Sequence, residues 1–210
     1  MNIFSIDGGI YRFLEKFTNF LFLNLLWIVM CLPIITIFPA TAAMYGVIRQ
    51  WVHKKDSGVF KNFFLFFKEN FLQSFLLGIV WFLFLFLLYF NYNITLQMAG
   101  AVKIVMTSSL FFICLFFILT SIYLFPTMVQ YKLRWTILIK NSFLFSISQL
   151  WRTVVCGIIL LLTFAICYVI PISSIVLCST AAYLVYSLCD KSFKKIESIL
   201  QVDAENEEVI

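Results

Sequence analysis

Hydrophobic side chains in this chain come in long uninterrupted runs, not in the strict alternation of a half-buried strand. Five runs carry no charged residue: 18–37, 71–90, 104–125, 153–170 and 172–189. A hydrocarbon layer about 30 Å thick is crossed by about 20 helical residues, so each run is expected to be a transmembrane helix. The last two are short and meet at Pro171. The expected fold is therefore all-α: an integral membrane helical bundle with five transmembrane helices. A single transmembrane domain is expected over residues 1–190, followed by a short cytoplasmic tail over 191–210, which ends in the acidic stretch DAENEE and is expected to fray there. The first run is too long for the apolar part of a cleaved signal peptide, about 7–15 residues, although Ala40-Thr41-Ala42 has the small-x-small form of a cleavage site.

Between the runs the period changes. From Pro39, apolar residues fall at Ala40, Ala43, Met44, Val47, Ile48, Trp51 and Val52, with Thr41, Tyr45, Arg49, Gln50 and His53 opposite them. That is helical spacing, and Pro39 suits a first helical turn because its missing N–H has no partner there. The connector after the third run repeats the design with Leu133, Ile137, Leu144, Ile147 and Trp151 against Lys132, Arg134, Lys140 and Asn141. Both are expected to be basic amphipathic helices lying in the interface, with anionic headgroups of the lipid bilayer as partners. The stretch Lys54-Lys55-Asp56-Ser57-Gly58 is expected to be a turn.

The two halves echo each other. Ile37-Phe38-Pro39 and Leu124-Phe125-Pro126 each close a run, and each is followed by a basic, aromatic-rich stretch. NFLQSFLLGIV (70–80) then matches QLWRTVVCGII (149–159) class by class, Gly78 against Gly157. A two-hairpin internal repeat is the simplest account; chance likeness between Phe- and Leu-rich segments is the other.

Composition sharpens the class. Hydrophobic residues are 63% of 210 and charged residues 12%, against about a quarter charged in soluble domains, so lipid must be the solvent. The net charge of +5 does not point to nucleic acid, because the cations sit between runs. Lysine and arginine gather on the cytoplasmic side. With the N-terminus outside and the C-terminus cytoplasmic, 12 cations face the cytoplasm and 3 the exterior. If Pro33 and Pro39 instead fold the first run into a re-entrant hairpin, the N-terminus is inside and the division becomes 14 to 1. A parallel repeat of two spans keeps one orientation, which argues for the N-outside version.

Candidate functional positions are few. Asn24 is the most polar side chain deep in the first run, suited to an interhelical hydrogen bond or a substrate contact. Pro33 would kink that run and Pro39 would end it. Ala42 and Gly46 form a small-xxx-small face for close helix approach, and Pro126 is the counterpart of Pro39. Asn24, Thr36 and Thr41 are the residues that would line a polar path, if one exists. No Asp, Glu, His, Lys or Arg lies within a run, whereas ion-coupled transporters usually place such residues there. No nucleophile–base pair, paired carboxylates or phosphate-binding glycine loop appears, and cysteine spacing lacks the short CxxC form of metal sites. Enzymatic activity, a cofactor and a metal are therefore not expected.

The segments NLLWIVMCLPIITIFPATAAMYGVIRQW and VFKNFFLFFKENFLQSFLLGIV resemble the YesL family of bacterial membrane proteins. The family pattern maps onto Asn24–Trp27, Leu32-Pro33, Pro39–Ala43 and Phe64–Phe71, with Phe38 where the family often has Gly. The resemblance implies a small polytopic protein of unknown activity, often encoded beside sugar ABC-transport components and two-component sensors. It carries no functional residues across. The expected role is accessory to carbohydrate uptake or sensing, through a membrane-protein partner or a homo-oligomer. A small permease subunit moving a sugar-like solute is the alternative.

Overall fold

Leu32 precedes a proline, and steric conflict with the proline ring drives such a residue out of the α conformation. Helix α1 accordingly spans Gly9–Cys31 and stops there. Pro33 is extended (φ −77°, ψ 119°) and opens a 3-10 turn over Ile34–Thr36. The chain then reverses into α2, Ile37–Val52. Pro39 occupies the third position of α2, where backbone N–H groups have no intrahelical acceptor to lose. The computed structural model describes residues 9–55 and 58–208, so Asp56 and Ser57 of the expected turn lie outside the described residues.

The remaining helices are α3 (Val59–Gln97), α4 (Gly100–Gln130), α5 (Trp135–Ser148), α6 (Leu150–Val169) and α7 (Ser174–Glu208), with a second 3-10 turn at Pro171–Ser173. No strand occurs among the described residues. Five helices, α1, α3, α4, α6 and α7, are long and apolar enough to cross a membrane, and the fold is all-α, as the hydropathy runs predict. The tail is helical as far as Glu208, beyond the point where fraying was expected. Gly100 has φ +66° and makes the sharp α3–α4 turn that a side chain would strain.

The chain divides into two compact units, Met1–Phe71 with Ile158–Ser187, and Leu72–Gly157 with Leu188–Ile210. In the first unit α2 runs antiparallel to α1. Trp27 Nε1 donates to Thr41 Oγ1 at 3.2 Å, and further down the pair the rings of Phe20 and Trp51 meet edge-on at 4.9 Å. Helix α7 is also antiparallel to α1: Asn24 Nδ2 donates to the Ser174 carbonyl, and Ser179 Oγ donates to the Phe20 carbonyl at 3.1 Å.

Here the structure departs from the sequence expectation for the first connector. Nine of the sixteen residues of α2, Pro39 to Ile48, are buried, Tyr45 of the expected polar face among them. The buried positions Ala40 and Ala42 to Ile48 succeed one another round the whole helix at about 100° per residue, so no single face of this part of α2 is left to water. α5 keeps the expected surface character, with Trp135, Ile137, Leu144 and Ile147 exposed and Leu138, Ser142 and Ser146 buried. The two Phe-Pro steps also differ. Pro39 follows a broken helix, whereas Pro126 sits inside the last turns of continuous α4.

In the second unit Trp81 Nε1 donates to Ser121 Oγ at 2.9 Å, tying α3 to α4. Rings of Tyr123, Tyr131, Phe145 and Phe193 gather with centroids 5.0–6.4 Å apart. Offset and edge-on pairs at such separations add about 0.5–1.5 kcal/mol each beyond area burial.

Candidate functional site

The sequence-derived candidates cluster at the head of the α1–α2 hairpin, and most of their polar atoms serve the chain itself. Thr36 Oγ1 lies 2.6 Å from both the Met30 and Pro33 carbonyls. Met30 is in the last turn of α1, where carbonyls lose their intrahelical donors and lipid offers no water in exchange; the Pro33 carbonyl also accepts from the Thr36 N–H at 2.9 Å. Thr41 accepts from Trp27 and donates to the Ile37 carbonyl at 2.7 Å. Asn24 is fully buried, bonded through Nδ2 to Ser174, with no hydrogen-bond partner for Oδ1. Asn24, Thr36 and Thr41 bond to backbone or to Trp27 and not to one another. Pro39, Ala42 and Gly46 are buried within α2, Pro33 is exposed at the turn, and Pro126 is buried in α4. A Cβ on Gly46 would lie 2.6 Å from Phe66 Cγ, which shows how closely α3 approaches at this point.

The turn between α6 and α7 is capped in the same way. Ser173 Oγ donates to the Ile170 carbonyl and Ser174 Oγ to the Pro171 carbonyl, both at 2.6 Å. Neither turn carries a charge, and Ile34 and Ile172 are 83% and 78% exposed. Apolar tips with internally bonded carbonyls are what a bilayer interior demands of non-helical backbone.

A second polar group, which sequence reasoning missed, lies in the second unit. Arg152 Nη1 donates to Ser192 Oγ at 3.3 Å, and Ser192 Oγ is 3.3 Å from Tyr123 Oη. Thr153 Oγ1 lies 2.8 Å from the Ser146 carbonyl and 3.0 Å from that of Gln149. Asp190, almost fully buried, pairs with Lys194 at 2.6 Å, and Tyr131 Oη donates to Glu197 Oε1 at 2.6 Å. In the Arg152–Ser192, Tyr123–Ser192 and Tyr131–Glu197 links the partners are 40, 69 and 66 residues apart, so no local spacing could reveal them. The one available signal was Asp190, the first acid after Glu69. The group's chemistry is that of a hydrogen-bonded clamp between α4, α5, α6 and α7, with its hydroxyls committed to carbonyls and to one another.

A small recess of about 120 Å³ in the first unit is lined by Lys16, Asn19, Phe20, Trp51 and Tyr183. Ligand pockets for organic molecules are usually about 300–1,000 Å³, so it suits an ion or a few waters.

Comparison with known proteins places this geometry. The signature described as "Protein of unknown function, DUF624" matches residues 20–92, the hairpin and α3. The uncharacterized protein YteU of Bacillus subtilis (strain 168) is 31% identical over 150 residues, covering 70% of this chain and 67% of that protein. The chain belongs to the DUF624 family. Two further relatives from the same organism are the uncharacterized proteins YesL, 30% identical over 70% of this chain and 71% of its own length, and YesV, 28% over 80% and 84%. No solved structure matches. This DUF624 chain is thus an all-helical, multi-pass membrane protein of the kind the resemblance implied.

Proposed function

We propose that the protein is a non-enzymatic accessory subunit of a membrane system for carbohydrate uptake or sensing, docked through helix–helix contact within the bilayer. The observation that carries this reading is the exposure of α3 and α4. At 1.5 Å per residue their 39 and 31 residues extend about 58 and 46 Å, and Phe82, Phe86, Leu87, Ile104, Val105 and Phe111 are all more than half exposed. Little of the apolar stretch of either helix is buried within the chain, and this surface offers a partner helix a long apolar contact. The carbohydrate setting is supported by the family resemblance. A solute path is less well supported, because Asn24, Thr36 and Thr41 bond separately.

We further propose that both termini face the cytoplasm, in place of the N-outside orientation expected from five straight spans. Since α1 is antiparallel to both α2 and α7, its start lies on the side toward which α2 and α7 run. Arg12 and Lys16, the cations from Arg49 to Lys68, those from Lys132 to Arg152, and Lys191, Lys194 and Lys195 then all face inward, 14 in number, leaving Lys103 alone outside. The re-entrant alternative therefore satisfies the positive-inside rule more fully. With 16 residues, α2 is about 24 Å long, short of the roughly 30 Å hydrocarbon layer. The apolar turn at Leu32–Thr36 consequently ends inside the outer leaflet.

The test of the accessory role is isolation of the tagged full chain from its own host in mild detergent. Co-purification of permease subunits of a sugar transporter, or of a sensor kinase, is expected. Recovery of the chain alone, or sugar flux by the purified chain in liposomes, would contradict it.

A further inference from the structure

The recess of about 120 Å³ in the first unit draws its lining from three helices: Lys16, Asn19 and Phe20 of α1, Trp51 of α2 and Tyr183 of α7. Phe20 braces the others. Its ring meets Trp51 edge-on at 4.9 Å and Tyr183 edge-on at 5.5 Å. Its carbonyl accepts from Ser179 Oγ at 3.1 Å, one turn before Tyr183, which fixes α7 against α1 at this level. Trp51 lies one residue from the end of α2, and Tyr183 nine residues into α7. At the helical rise these are about 21 and 14 Å from the apolar turns at which the two helices start. The recess therefore sits well away from those turns, and its indole, phenol and ammonium are the groups that mark the level of lipid headgroups.

Four of the five lining residues carry a donor: the Lys16 ammonium, Asn19 Nδ2, Trp51 Nε1 and the Tyr183 hydroxyl. None of the four has a hydrogen bond or ion pair with another described residue. Trp27 and Trp81, by contrast, spend their N–H groups on Thr41 and Ser121. Lysine and tryptophan have no acceptor to offer in return. An occupant must then supply acceptors and, beside an ammonium, negative charge. Three rings can also cage a cation, but a cation entering here would meet Lys16. The acids among the described residues of the first unit are Glu15 and Glu69, and neither lines the recess. Donors arriving from three helices suit an anion with oxygens in several directions, which a tetrahedral phosphate has and a planar carboxylate lacks. The volume admits such a group and excludes most organic ligands, whose pockets are usually about 300–1,000 Å³.

We propose that this recess is a binding site for one phosphate group, paired with Lys16 and hydrogen-bonded by Asn19, Trp51 and Tyr183. Lysine acts in such sites as a point charge, and the neutral donors supply direction. Inorganic phosphate and the phosphate of a lipid headgroup present the same oxygens to these donors, and the experiment separates them. The site does not depend on the accessory role proposed above, and in detergent it does not depend on membrane orientation.

The experiment uses the full chain, isotope-labelled at the indole nitrogens and held in phosphate-free maltoside micelles. Heteronuclear NMR then gives one indole signal for each of the five tryptophans, and Trp51→Phe identifies that of Trp51. One arm titrates sodium phosphate against sodium chloride of equal ionic strength. The other titrates phosphatidylglycerol against diacylglycerol, which lacks the phosphate. A saturable shift of the Trp51 signal is expected with a phosphate source and not with its control. Saturation by inorganic phosphate identifies a soluble anion as the occupant, and saturation by phosphatidylglycerol alone identifies a headgroup. Lys16 is exposed, so Lys16→Gln should leave the other indole signals in place while weakening binding at least about tenfold. Tyr183→Phe keeps the ring beside Phe20, removes the hydroxyl and should weaken binding by a similar factor. Lys16→Arg keeps the charge and should retain binding. No saturable shift with either source, an equal shift with chloride or diacylglycerol, or an affinity unchanged by Lys16→Gln would each overturn the site.

Discussion

Replacing Gly46 by alanine tests the close packing on which the first unit depends. Glycine inside a helix is normally a weakness, and Gly→Ala there gains about 1 kcal/mol of helix propensity. At position 46 the new methyl would lie 2.6, 2.8 and 2.9 Å from Cγ, Cδ2 and Cβ of Phe66. Two of these atoms form the stem of the side chain, so rotating the ring about χ2 cannot clear the contact, and α2 must move away from α3. Overpacking of this kind costs about 1–3 kcal/mol. The net expectation is a loss of up to about 2 kcal/mol, opposite in sign to the propensity effect. The assay is equilibrium unfolding of the purified chain in mixed micelles, followed by helical circular dichroism. A double-mutant cycle with Phe66→Ala isolates the contact. In the Phe66→Ala background, Gly46→Ala should become neutral or stabilising. If Gly46→Ala stabilises the unaltered chain and the coupling to Phe66 is zero, the packing argument is wrong.

Other consequences follow from single contacts. Thr36→Val removes the hydroxyl that serves the Met30 and Pro33 carbonyls and should cost about 1–3 kcal/mol in the same unfolding assay. Gly100→Ala forces a side chain into φ +66° and should cost about 1–2 kcal/mol, whereas a substitution at Gly58, where nothing lies within 4 Å of an added Cβ, should meet no clash. Asn24→Leu loses one interhelical bond and also the unpaired Oδ1. Such bonds average about 0.6 kcal/mol in membranes, so stability should change by less than about 1 kcal/mol, and a large loss would show that Asn24 has a further partner.

The parts of this fold that hydropathy determines were legible from the chain. Runs without charge marked all five long helices, because a bilayer imposes length and polarity on a span directly. The turn at Leu32–Thr36 was legible only as alternatives. Pro33 announces a break, but whether the chain then lies on the surface or folds back depends on what packs against Ala42, Gly46 and their neighbours, and Phe66 and Ser174 are remote in sequence. Helical periodicity misled at α2 for the same reason: a stripe of apolar residues signals one buried face, but it does not reveal that the opposite face is buried too. The clamp of Tyr123, Arg152 and Ser192 was illegible, since hydroxyls in apolar helices are common and only tertiary placement joins them.

The central claim is that the first apolar run forms a hairpin that returns the chain to the side from which it came. Single cysteines in an otherwise cysteine-free chain, at Ser5→Cys, Lys55→Cys and Met98→Cys, can be probed in intact cells with a membrane-impermeant maleimide. Labelling of position 98 alone, with 5 and 55 reacting only after the cells are opened, is the predicted result. Labelling of position 5 from outside while position 55 stays protected would mean a single straight crossing and would contradict the hairpin.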